Sequence, residues 1–78
     1  MLAKFDSDKL RVARRAKKIT QEHLAEQVDS SPRYIGALER GENDNPAASL
    51  VCRMSKALDV PMEALMIVSE EDEGSSVK

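Results

Sequence analysis

The stretch Ile19–Gly41, ITQEHLAEQVDSSPRYIGALERG, constrains the fold of this chain more than any other. It holds two short apolar-periodic segments whose stop and start signals lie so close together that only a sharp turn fits between them. Thr20 suits an N-cap, because its hydroxyl can accept from backbone N–H groups that a new helix leaves unpaired. Leu24, Ala25 and Val28 then recur at the spacing of one buried face, and the small Ala25 lets a second helix approach closely. Asp29-Ser30-Ser31 interrupts the pattern, and Asp tolerates the left-handed conformation that a sharp exit demands. Ser31 is placed to cap the next helix, with Pro32 at its first position, where a missing N–H costs nothing. Ile35 and Leu38 supply the buried face of that helix, and Gly41 stands where a C-terminal cap residue belongs.

Two helices, one short turn and one shared apolar seam make a helix-turn-helix, an arrangement suited to laying a helix in the major groove of DNA. From about Leu10 to Leu65 the chain resembles the lambda-repressor/Cro-type family, also called the xenobiotic-response-element (XRE) family. The resemblance rests on Leu10-Arg11-x-Ala13-Arg14, Thr20-Gln21-Glu22-x-Leu24-Ala25, Ile35-x-x-Leu38-Glu39-Arg40-Gly41, Pro46, and Ala57-Leu58-x-Val60 followed by Leu65. Each piece is weak alone; their order and spacing together make the signal specific. The run Arg33–Gly41 also resembles the controller proteins of restriction–modification systems, a subgroup of that family. The resemblance implies an all-α, compact five-helix bundle and a transcriptional regulator, of repressor or controller type.

Length and composition agree with a small binding module. Seventy-eight residues make one domain near the lower limit for a self-sufficient core, and a domain this small often gains stability by dimerising. One Tyr, one Phe and no Trp leave the core mostly aliphatic. Met1–Lys4 lacks the apolar run of a signal peptide, no segment reads as a membrane span, and a single Cys forms no intrachain disulfide. These features fit a cytoplasmic protein of a prokaryote or phage. The net charge of −2 hides an asymmetry: residues 1–41 hold nine Lys/Arg against six Asp/Glu, and residues 42–78 hold three against eight. Phosphate binding follows the local field rather than the average, so the N-terminal half is the DNA-facing one.

The first helix is expected from about Ser7 to Lys17, with Asp6 or Ser7 as N-cap and Leu10, Ala13 and Ala16 inward. After the polar loop Glu42-Asn43-Asp44-Asn45, Asn45 and Pro46 read as N-cap and first turn of a fourth helix reaching about Leu58. Asp59 stands where the family usually has Gly, and Pro61 opens a short fifth helix through about Val68. Residues 1–68 make the binding and dimerisation domain. Residues 69–78 are polar, acidic and without periodicity, which predicts a disordered tail.

On a wheel of the third helix, Ile35, Leu38 and Glu39 point to the core, and Arg33, Gly36, Ala37 and Arg40 point away. Pro32 and Arg33 lie at the end that enters the groove in this docking mode. Arg33 is the favoured base reader over a merely solvated Arg, since a guanidinium can bond both O6 and N7 of guanine. Ala37 suits a thymine methyl, and Gly36 leaves room for close backbone approach. Tyr34 lies on the flank, where bonding a phosphate, contacting a base edge and covering the core edge are equally open. Gln21 and Ser31 resemble family positions that hold phosphates at helix N-termini. Asn43 and Asn45 can also bond phosphates, whereas Glu42 and Asp44 repel them; family members commonly carry basic residues near the loop proline. The lone His23 reads as a surface helix residue. One Cys and one His far apart give no metal site, and no cofactor is expected.

In the family, the positions of Arg14 and Glu39 form an ion pair between the first and third helices. The fourth and fifth helices carry more apolar residues than one core face needs, so Leu50, Cys52, Met54, Met62, Met66, Ile67 and Val68 are candidates for a dimer interface. Cys52 reads as a small buried hydrophobe, with redox sensing a lesser option. Members of the family usually dimerise in this half, which sets two recognition helices about 34 Å apart on a near-palindromic operator. The expected partners are double-stranded DNA and a second copy of the chain, with no membrane and no metal. The alternative is an antitoxin or other protein-interaction module using the same fold. No nucleophile–base pair, metal constellation or phosphate-binding Gly loop suggests an enzyme.

Overall fold

The computed structural model describes residues 2–69. Their order is β1 (Leu2–Phe5), α1 (Ser7–Lys17), α2 (Gln21–Gln27), α3 (Pro32–Arg40), α4 (Ala48–Leu58), a 3₁₀ turn (Met62–Leu65) and β2 (Met66–Ser69). Both cap assignments in the central motif hold. The Thr20 hydroxyl accepts from the His23 N–H at 3.0 Å, and the Ser31 hydroxyl accepts from the Tyr34 N–H at 3.1 Å. Between the two helices Asp29 takes the left-handed conformation (φ 59°), as do Lys18 and Asp59 at other helix ends. Gly41 (φ 80°) ends α3, its N–H returning to the Leu38 carbonyl. Arg53 of α4 donates to the Val28 carbonyl at 3.1 Å and so satisfies an otherwise open end of α2.

The core is aliphatic apart from Phe5. Leu10, Leu24, Val28, Ile35, Leu38, Met54 and Leu65 are fully enclosed, joined by Ala25, Leu50, Val51 and Leu58. Ala16, expected to face inward with Leu10 and Ala13, is exposed, because α1 buries only the stripe that meets α3 and the 3₁₀ turn.

Three expectations are corrected. The five-helix bundle is a four-helix fold with a two-stranded antiparallel sheet, in which Leu2 pairs with Ser69, Ala3 with Val68, Lys4 with Ile67 and Phe5 with Met66. Beyond Leu65 the β-branched pair Ile67-Val68 finds in β1 a ladder partner that a short helix could not offer. The Asp6 N–H bonds the Leu65 carbonyl at 3.0 Å, and Lys9 Nζ bonds the Met66 carbonyl at 2.8 Å, fastening the strand to α1. The last helix also begins later than expected, at Ala48 rather than Asn45–Pro46. The Asn43 side chain accepts from the Asn45 N–H at 3.2 Å, and a residue before proline is driven to extended conformations, so the chain stays extended through Ala47. β2 runs on to Ser69, and the rest of the expected acidic tail lies outside the described residues.

Ala47 caps α4 with extended geometry but no side-chain acceptor. Ala47→Ser should supply that acceptor and raise stability by about 0.5–1 kcal/mol, read as a rise of a few degrees in thermal midpoint.

Candidate nucleic-acid interface

The geometry of the site begins behind it, where α3 is anchored. Arg14 Nε donates to Glu39 Oε2 at 2.5 Å and Nη2 to Oε1 at 3.2 Å, a two-pronged pair between α1 and α3. Its Nη1 donates to the Ile19 carbonyl at 2.7 Å, which ties the same guanidinium to the entry of α2. Gln21 adds a bond from Nε2 to Glu39 Oε1 at 3.0 Å, and Arg11 donates to the Glu39 backbone carbonyl at 3.0 Å. The two charged side chains are only 12% and 4% exposed. Burial works to raise the Glu39 pKa, but hydrogen bonds from Arg14 and Gln21 and the charges of Arg14 and Arg11 outweigh it and hold the carboxyl below the usual range. The hydrogen bond to Glu39 raises Arg14 in turn, against the opposing effect of its own burial. Three helices thus meet at one carboxylate.

Held from behind, α3 presents its other side outward. Pro32 and Arg33 are exposed at its first turn, and among the described residues Arg33 has no ion-pair partner. The Ser31 hydroxyl is exposed and accepts within its cap, so its proton remains available to a further acceptor. Ala37 is half-buried one turn further on. The Tyr34 ring packs against the core edge, and its hydroxyl accepts from Asn43 Nδ2 at 3.2 Å. Asn43 in turn accepts from the Asn45 N–H, so Tyr34, Asn43 and Asn45 form one chain of bonds that shapes the loop. His23 is an exposed helix residue, as expected.

Two expectations about this surface change. Gly36 is buried rather than outward, because the Arg40 guanidinium lies across it: a Cβ there would sit 3.0 Å from Arg40 Nη1 and 3.5 Å from Gln21 Oε1. Arg40 itself is forked onto Glu42, Nε to Oε2 at 2.8 Å and Nη2 to Oε1 at 3.1 Å. Gln21, expected at a phosphate, has its amide nitrogen committed to Glu39 and is half-buried.

The residues expected at a dimer seam separate. Leu50 and Met54 are corrected to core positions, 6% and 0% exposed, because the face of α4 that carries them closes the monomer. Cys52 and Met66 are half-buried, while Met62, Ile67 and Val68 are exposed. Among the described residues no group of His, Cys, Asp or Glu is placed to hold a metal ion, and no helix is long and apolar enough to cross a membrane.

A sequence profile of helix-turn-helix proteins matches residues 10–65. The chain belongs to the helix-turn-helix family, in its lambda-repressor-like (XRE) branch. No curated protein sequence matches it significantly. Among solved structures, the restriction–modification controller protein C.AhdI from Aeromonas hydrophila is similar at 32% identity and a TM-score of 0.71, over 76% of this chain and 88% of that one. The P22 c2 repressor in complex with a synthetic operator is similar at 30% identity and a TM-score of 0.70, over 76% and 88%. SinR, a master regulator for biofilm formation solved in complex with DNA, is similar at 25% identity and a TM-score of 0.73, over 77% and 98%.

Within this helix-turn-helix chain, sequence reasoning missed Arg11, Gln21 and Arg53 as helix fasteners, and Glu42 as the partner of Arg40. The first three join residues 18–28 positions apart, for which no local pattern exists. The last pair is two positions apart, a spacing that does not face on a helix; the left-handed Gly41 folds the chain back to close it.

Glu39→Gln should cost about 3–5 kcal/mol by leaving the buried Arg14 charge uncompensated, lowering the thermal midpoint by more than roughly 10 °C. Because the folded carboxyl titrates below its unfolded value, its stabilisation is complete above about pH 4.3 and is lost as pH falls through the folded value. The wild type should therefore lose more stability on acidification below about pH 4.5 than Glu39→Gln does, measured by chemical denaturation across a pH series.

Proposed function

We propose that the chain is a sequence-specific DNA-binding transcription regulator of repressor or controller type, acting as a homodimer on a near-palindromic operator with α3 in the major groove. The observation that carries this reading is the pairing of a back face locked through Glu39 with an open front at Pro32-Arg33, free of intramolecular ion pairs among the described residues. A rigid helix whose N-terminal turn offers an uncommitted guanidinium suits bidentate contact with guanine. Ser31 and Tyr34 lie at the same end, the Tyr34 hydroxyl is joined to Asn43 of the loop after α3, and with Asn45 these residues supply neutral donors for the phosphates that set register. Arg40 lies at the far end of the helix, and Ala37 between them suits a thymine methyl. The matching of this chain to controller and repressor structures, two of them bound to operator or DNA, supports the same reading.

Selection of bound sequences from random duplex DNA tests the reading. The wild type should enrich a palindrome, and Arg33→Ala should lose preference at one half-site base pair by about 1–3 kcal/mol. Binding without enrichment that vanishes as salt rises would reduce the surface to a non-specific one.

For the homodimer, the support is the exposure of the apolar side chains Met62 (37%), Ile67 (48%) and Val68 (42%) on the last turn and on both faces of the strand. These residues sit on or beside the paired strands β1 and β2, a two-stranded sheet whose outer edges have no ladder partner among the described residues. Ile67→Asp with Val68→Asp should shift the protein toward monomer in sedimentation at micromolar concentration and leave the helical spectrum unchanged; an unaltered dimer would place the seam elsewhere.

A further inference from the structure

The front of α3 carries two arginines in opposite states. Arg33 is open, whereas Arg40 is held by its own loop. One hydrogen-bonding edge of the Arg40 guanidinium is occupied: Nε and Nη2 donate to the Glu42 carboxylate at 2.8 and 3.1 Å, while Nη1 lies close over Gly36. The side chains are 57% and 59% exposed, so this is not a buried clamp of the Arg14–Glu39 kind. The hydrogen bond between them raises Arg40 and holds the Glu42 carboxyl below its usual range, so both stay ionised at neutral pH. Gly36 leaves room for the fold-over, since a Cβ at that position would lie 3.0 Å from Arg40 Nη1 and make the guanidinium give way slightly. A carboxylate forked onto a guanidinium reproduces the geometry of a phosphate on the same group.

We propose that Glu42 is an internal competitor for DNA phosphate: it keeps Arg40 folded over Gly36 in the free protein, and a phosphate must displace it to take the same forked Nε/Nη2 edge of Arg40. The inference rests on the DNA-binding reading above and concerns its selectivity. Affinity for arbitrary DNA grows with the number of cations free to release counterions, and a self-paired arginine is not among them. On a matched site, Arg33 and the phosphate contacts at the other end of α3 hold a phosphate at Arg40 long enough to replace Glu42. On unmatched DNA no such register is kept, and the internal pair wins.

The test is a double-mutant cycle of wild type, Glu42→Gln, Arg40→Ala and the double variant, binding a mixed-sequence duplex and the selected operator at two salt concentrations. Thermal melts of all four should coincide, since both side chains are exposed. Glu42→Gln should tighten binding to the mixed duplex by about two- to fivefold at low salt, the range of an exposed ion pair. It should also steepen the salt dependence by about one counterion, and tighten operator binding less. The gain should vanish in the Arg40→Ala background. A Glu42→Gln variant that binds equally or more weakly would overturn the proposal, as the carboxylate would then position Arg40 rather than compete for it. A gain that persists without Arg40 would overturn it too, reducing Glu42 to simple repulsion. A wild type that binds neither duplex would overturn the DNA reading itself, an outcome visible before any variant is compared.

Discussion

One buried carboxylate organises this molecule. Glu39 lies on the inner side of α3, and the side chains that reach its carboxylate come from α1 and α2, the Arg14 guanidinium also holding the Ile19 carbonyl before α2. A carboxylate taken out of water is unfavourable unless its lone pairs are met, and here Arg14 and Gln21 meet them. Among the described residues no buried side-chain polar atom is left without a partner. The aliphatic core beneath is non-directional: it drives collapse but does not by itself choose the angle between α1 and α3. The forked pair does choose it, because two parallel N–H···O bonds tolerate little rotation. The aim of the outward face of α3 is therefore set from behind.

That face is built from restrained rather than abundant charge. The chain is net negative, and its C-terminal half is strongly so, yet among the described residues the surface around α3 presents Arg33 uncompensated and Arg40 compensated. Neutral donors, namely Ser31, Tyr34, Asn43 and Asn45, surround them. Such a surface depends on geometry for affinity more than on bulk attraction, which fits a small regulator that must ignore most of the DNA it meets.

Much of the central motif was legible in the sequence because its signals are local. Thr20 and Ser31 act within three residues of themselves, Asp29 and Gly41 through their own φ, and Leu24, Ala25, Val28, Ile35 and Leu38 through a period of 3.6. The Arg14–Glu39 pair was reached through family resemblance, not spacing, since 25 residues separate its members. The chain ends were misread for the opposite reason. Met66-Ile67-Val68 follows a proline and a short helical turn, so it reads as more helix until β1 arrives from over sixty residues away to pair with it. Leu50 and Met54 looked like surplus apolar residues because a helical wheel cannot know how many neighbours will pack around α4.

By itself, then, the sequence determined the four helices, the turn between α2 and α3, and which residues of α3 face inward as a hydrophobic seam. These depend on backbone preference and periodicity, which act over a turn or two of chain. Only the tertiary structure decided that β1 and β2 pair into a sheet, that Gly36 lies under Arg40, and that, among the described residues, Arg40 is answered by Glu42 while Arg33 is not. Those outcomes depend on where distant or oppositely turned segments meet, and side-chain charges find partners only after the backbone has brought them within about 3 Å.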